Sequence, residues 1–217
     1  MKKEFRIFID ISMTILLLIL MGYYITENKI HETLGITLFV LFIAHNISNI
    51  KWYKSIFKGK HSFQRIFHVI INLLLLIAMF GMMISAIMIT TNVSTIVLGR
   101  KLHMIFNSWI FILIAIHIGI HLNGIMTKIN KKMKNYAFEY VYYFLIVIIL
   151  GFGIYSFISS GLWEDMFLLK EYKFFDYEKN SITFYLEYLS IMFFISITTY
   201  SLLLLINKIK NRKERKI

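Results

Sequence analysis

Apolar residues in this chain fall into six long runs divided by short polar stretches, without the 3.6-residue alternation of a half-buried surface helix. The runs cover about Ile7 to Ile25, Leu34 to Ile50, Ile66 to Thr90, Leu102 to Met126, Tyr140 to Ile158 and Phe184 to Ile206. At 1.5 Å per helical residue, runs of this length suit the ~30 Å hydrocarbon core of a bilayer. The pattern therefore predicts an all-α integral membrane bundle of six transmembrane helices. Met1, Lys2 and Lys3 ahead of the first run also suit a signal peptide. Met21, Gly22, Tyr23 and Tyr24 then follow in place of a small-x-small cleavage site, so the run reads as an anchor.

Composition sharpens this picture. The chain of 217 residues is 58% apolar, with a net charge of +12 and a mean hydropathy of +0.68. In a soluble protein that charge would suggest nucleic acid, but here the cations are sorted by loop. The N-terminus with Lys2, Lys3 and Arg6, the segments Lys51 to Arg65 and Lys128 to Lys134, and the tail from Lys208 to Lys216 hold 18 of the 24 Lys and Arg. The positive-inside bias then places both termini in the cytoplasm and makes the number of crossings even. The expected partner is membrane lipid, not nucleic acid, and the tail is a topology and anionic-lipid signal. The richness in Ile, Lys, Asn, Phe and Tyr resembles that of an AT-rich bacterial genome.

Zero cysteines exclude disulfides, Cys-ligated iron-sulfur clusters, thioether-attached haem and a thiol relay. Zero prolines favour a rigid bundle over a transporter with broken helices.

Against this apolar background two histidine pairs share one spacing, His31 with His45 and His103 with His117. Fourteen steps of 100° fall 40° short of four full turns, so each pair lies on one helix face about 21 Å apart. The second and fourth runs both pass from outside to inside. His31 and His103 are therefore level at the outer side, and His45 and His117 are level at the inner side. Two stacked b-type haems, each held between two imidazoles, fit that spacing. Gly35, one turn after His31, and Gly119, two residues after His117, keep the backbone small near a flat macrocycle. Gly22 and Gly81 offer the same in the first and third runs. Arg100 and Lys101 suit the propionates of an outer haem, and Lys51 or Arg65 those of an inner one. Trp109, Phe106 and Phe111 offer apolar walls; Asn46 and Ser108 are candidate partners of the ligands.

Three histidines stand outside the pairs. His121, one turn beyond His117 and 18 residues from His103, is the rival inner ligand. It otherwise serves a propionate or a quinone headgroup. His68 suits an interfacial position or a quinone site, and His61 in Lys58-Gly59-Lys60-His61 a solvated one. Asp10, costly inside a membrane unless paired or wet, either takes a quinol proton or snorkels to the headgroups, and snorkelling is the preferred reading.

Several segments together resemble the flavinylation-associated cytochromes, bacterial membrane proteins first known as a domain of unknown function. These are Phe8-Ile9-Asp10-Ile11, His31-Glu32-Thr33-Leu34-Gly35, and His45-Asn46 with Asn49, Trp52, Tyr53, Lys54 and Gly59-Lys60. Arg100-Lys101-Leu102-His103 and His117-Ile118-Gly119-Ile120-His121 continue the likeness, as do Phe174-Phe175-Asp176-Tyr177-Glu178 and Tyr188-Leu189-Ser190-Ile191-Met192. Ser85-Ala86-Ile87 departs from the Ser-Gly-Ile of such proteins by one methyl group. The dihaem arrangement is also similar to that of respiratory cytochrome b. The resemblance implies electron transfer across a bacterial cytoplasmic membrane to flavin (FMN) carried covalently by an extracytoplasmic protein; the expected donor on the inner side is menaquinol or a cytoplasmic protein.

The expected organisation is a four-helix dihaem bundle over residues 1–134 and a two-helix extension over 135–217. Within the extension, residues 159–182 form an outward amphipathic loop, rich in aromatics, that anchors at the membrane surface or docks a flavoprotein. Two alternatives remain open. One is a quinol-dependent membrane reductase of ferric iron or another external acceptor. The other is a haem-free carrier or sensor whose histidines bind protons or a metal.

Overall fold

Gly22 divides the first apolar run. In the computed structural model, which describes residues 3–59, 62–91, 93–132, 136–173 and 176–214, helix α1 spans Lys3–Met21 and helix α2 spans Tyr23–Ser48. Gly22 between them has φ −93° and ψ 60°. A Cβ there would lie 2.8 Å from the Tyr185 hydroxyl, so the missing side chain lets the last helix approach. Glu27 interrupts α2 with φ 58° and ψ 171°, a conformation that side-chain-bearing residues rarely adopt. The first helix thus stops about a turn earlier than its hydropathy predicts, and the second begins well before Leu34.

The chain continues through α3 (Ile50–Ser55), α4 (Phe63–Thr91), a 3-10 turn (Val93–Thr95), α5 (Ile96–Lys132), α6 (Tyr136–Ser159), α7 (Leu162–Met166) and α8 (Ser181–Glu214). No strand occurs among the described residues. Five helices are long and apolar enough to cross a membrane: Tyr23–Ser48, Phe63–Thr91, Val93–Thr127, Tyr140–Ser159 and Ser181–Lys210. Helix α1 falls outside that set because Glu4, Arg6 and Asp10 crowd its first half. Five such helices therefore stand where hydropathy alone suggested six. His61, Phe174 and Phe175 lie outside the described residues.

Helix α5 is the centre of the fold, packed by α4 on one side, α8 on another and α7 at one end. Helix α8 also packs against α6 and touches α1. The α5–α8 contact is close. Ser196 Oγ donates to the Ala115 carbonyl at 2.7 Å, and the Phe111 and Tyr188 rings meet edge to face at 5.5 Å. The last apolar helix is thus built into the core around α5 and does not stand beside it. Helix α2 behaves differently: it leans on α1, while its backbone scarcely meets α4 or α5. The space between these helices is a cleft.

The connection from α6 to α8 is pinned to the bundle. Trp109 Nε1 on α5 donates to the Met166 carbonyl at 3.1 Å. Lys173 pairs with the buried Asp165 at 3.4 Å and lies 5.9 Å from the Tyr188 ring centre. Burial pushes the Asp165 carboxyl upward, and the Lys173 ammonium draws back only part of that shift. Burial works against the Lys173 ammonium, but Tyr188 and Asp165 outweigh it and hold its pKa above the usual lysine value.

Candidate functional site

Three helices carry the histidine-rich interior: α2 with His31 and His45, α5 with His103, His117 and His121, and α4 with His68. Straight helices fix their spacing, and packing fixes their rotation. His31 and His103 face each other across the cleft, with ring centres 6.3 Å apart and planes at 60°. The cleft has a volume of about 220 Å³ and is lined by Gly35, Phe39, Met79, Met82, Ile87 and Asn107 together with the two imidazoles. A Cβ built on Gly35 meets nothing within 4 Å, so this glycine borders open space.

Neighbouring side chains set the protons of the imidazoles. Ser85 Oγ donates to the Met82 carbonyl at 2.7 Å, which commits its hydrogen. Its 3.2 Å contact with His103 Nδ1 is therefore accepted by the hydroxyl and donated by the ring. His117 Nδ1 donates to Asn72 Oδ1 at 2.8 Å, and His45 Nδ1 to Asp10 Oδ1 at 2.7 Å. In all three rings the proton sits on Nδ1, leaving the Nε2 lone pair to accept or to ligate. Asn49 Nδ2 lies 3.3 Å from His45 Nε2. His31 Nδ1 and His68 Nε2 are buried with no hydrogen-bond partner among the described residues.

At the other end of the ladder the imidazoles crowd together. His68, His117 and His121 have ring centres 4.8 to 5.6 Å apart, and one ligand nitrogen from each lies within 4.8 Å of the others. His45 and Asp10 are within electrostatic reach of both His117 and His121. The His31–His103 ring contact at one level and the electrostatic reach between His45 and His117 at the other are consistent with α2 and α5 running in the same direction.

Other residues singled out by sequence take different places. Asp10 does not snorkel; it binds His45. Gly119 faces α8, where a Cβ would lie 2.6 Å from the Ser196 carbonyl oxygen. Gly81 accommodates the Phe106 ring. Asn46 turns back to the Phe42 carbonyl at 2.7 Å and accepts from the Tyr53 hydroxyl. Ser108 is fully buried. Arg100 and Lys51 are exposed, Lys101 lies 4.0 Å from Glu171, and Arg65 binds the Ser55 and Ile56 carbonyls at the end of α3. Besides Asp10 and Asn49 at His45, two partners that meet the histidines, Asn72 and Ser85, lie on α4. Their only mark in the sequence is polarity within an apolar run, which obliges a buried partner. No family model, curated protein or solved structure matches the chain.

Proposed function

We propose that this protein is a six-crossing membrane cytochrome that carries electrons through two b-type haems, with both termini in the cytoplasm of a bacterial cell. His31 and His103 would hold the outer haem. His45 and His117 would hold the inner one, with His121 the alternative to His117. The observation that carries this reading is the His31–His103 geometry across the cleft. Two imidazoles on opposite sides of one metal, each bonded at about 2 Å, have ring centres roughly 6 Å apart. The observed 6.3 Å agrees. The orphaned His31 Nδ1, the open space beside Gly35 and the methionine-lined wall fit a flat apolar group there. Asp10, Asn72 and Ser85 fit as the partners that orient ligand histidines.

Haem supplies reversible one-electron chemistry, and two histidine ligands leave its iron closed to oxygen. The chain's own residues do the rest. The imidazoles would hold the two centres about 21 Å apart along the helices. Ser85 and Asn72 keep ring protons on Nδ1, and Leu17, Leu20 and Ile110 give the cleft apolar walls. Helix α1 completes the count of crossings because its one mid-helix charge, Asp10, is paired with His45. Menaquinol or a cytoplasmic donor would serve the inner centre, and an FMN-carrying extracytoplasmic protein the outer one.

The His68–His117–His121 cluster favours a second reading. Three imidazoles at this spacing also suit a divalent transition metal, as in a haem-free carrier or sensor. Purification of the full chain after haem-supplemented expression separates the two. The expected result is a b-type spectrum on dithionite reduction and two haems per chain by pyridine haemochrome, falling to one in His45→Ala and one in His103→Ala. A featureless spectrum, with one metal per chain that is lost in His68→Ala, would refute the cytochrome.

A further inference from the structure

We propose that Asp10 is the positioning residue of the His45 centre: its carboxylate locks the imidazole with Nε2 turned to ligate, and its charge makes this the harder of the two centres to reduce. The inference rests on the cytochrome reading above.

Asp10 and His45 belong to different helices, yet their side chains meet at 2.7 Å. The α1–α2 packing is what brings them together. A carboxylate in a helix that continues as Ile-Ser-Met-Thr-Ile-Leu-Leu-Leu would be costly without a partner. Its ion-pair partner among the described residues is His45. An imidazole whose Nδ1–H is held by a carboxylate is a more basic ligand and favours the more highly charged state of the metal it binds.

The other centre is built without such a bias. His103 has a neutral hydroxyl as its Nδ1 partner, at the longer distance of 3.2 Å. The Lys173 ammonium lies within its electrostatic reach. The Asp10 carboxylate thus bears on the His45 end of the ladder, whereas near the His103 end the Lys173 ammonium is paired with the Asp165 carboxylate. The consequence is a downhill sense for single-electron transfer, from the His45 centre to the His31–His103 centre. Half of the Asp10 side chain is exposed, at 52%, which screens its field and sets the expected effect near one decade.

Potentiometric titration of the purified chain tests this through the b-type absorbance. Two one-electron steps are expected. Asp10→Asn, which keeps size and shape, should raise the lower step by about tenfold in its reduction constant, roughly 59 mV. The upper step should stay in place, and Asp10→Glu should restore most of the shift. Selective loss of the lower-potential haem in Asp10→Asn, with retention in Asp10→Glu, would support the same positioning role. The His31–His103 haem serves as the internal control for folding. Unchanged steps in Asp10→Asn, movement of the upper step, or equal damage by both substitutions would overturn the proposal while leaving the cytochrome standing. Absence of b-type absorbance in the parent chain would remove both.

Discussion

Replacing Asn72 by Leu removes one interaction of known length at little cost in volume, and it tests whether α4 organises the second centre. Asn72 Oδ1 accepts the His117 Nδ1 proton at 2.8 Å, and the residue is half-buried on α5. The hydrogen bond itself contributes about 0.5–1.5 kcal/mol, and a buried N–H left without an acceptor costs about 1–3 kcal/mol. A central figure of about 2 kcal/mol corresponds to roughly 30-fold in affinity at 1.4 kcal/mol per decade. That lies inside the 10–100-fold range for outer partners of metal-bound histidine. The assay challenges detergent-solubilised full-length protein with an excess of a haem-scavenging protein, and haem per chain is followed by pyridine haemochrome. In Asn72→Leu one haem should leave about 30-fold more readily, while the haem on His103, held by Ser85, stays. Retention of both haems as in the parent would refute the reasoning, and so would selective loss of the other haem.

Two further outcomes follow from the packing. Lys173→Met strands the Asp165 carboxylate, which is 5% exposed. It should cost about 3 kcal/mol, near the low end for a broken buried pair because Asp165 can take up a proton. Thermal unfolding in detergent should show this as a lower midpoint, restored in the Lys173→Met/Asp165→Leu double variant; a single variant as stable as the parent would contradict the pairing. Gly119→Leu drives side-chain atoms into Ser196 and Thr199 of α8 and should cost about 1–3 kcal/mol in the same unfolding assay.

Helical character and the length of the apolar runs were legible because hydropathy reports them directly. The His31–His103 meeting was legible because equal spacing on two parallel helices leaves few other arrangements. The end of α1 was not, since Gly22 breaks the helix without interrupting the run of apolar residues. Gly119 was read as space for a macrocycle, but a glycine two residues from a histidine lies about 200° around the helix from it. It therefore faces α8. Asn72 went unassigned and His68 was read as interfacial or as part of a quinone site, because periodicity gives a helix a stripe but not the rotation at which α4 meets α5. That rotation turns both residues toward His117. Asp10 was legible as an expense but not as a bond, because its partner is 35 residues away on the neighbouring helix.

The uneven support of α2 and α5 has a mechanical consequence. Helix α5 is gripped by α4, α7 and α8, whereas α2 leans on α1 and is jointed at Gly22 and Glu27. One side of the histidine ladder is thus a fixed rail and the other a compliant one. Any adjustment of the distance between them falls on the α1–α2 hairpin, with Asp10 and His45 riding together as its latch.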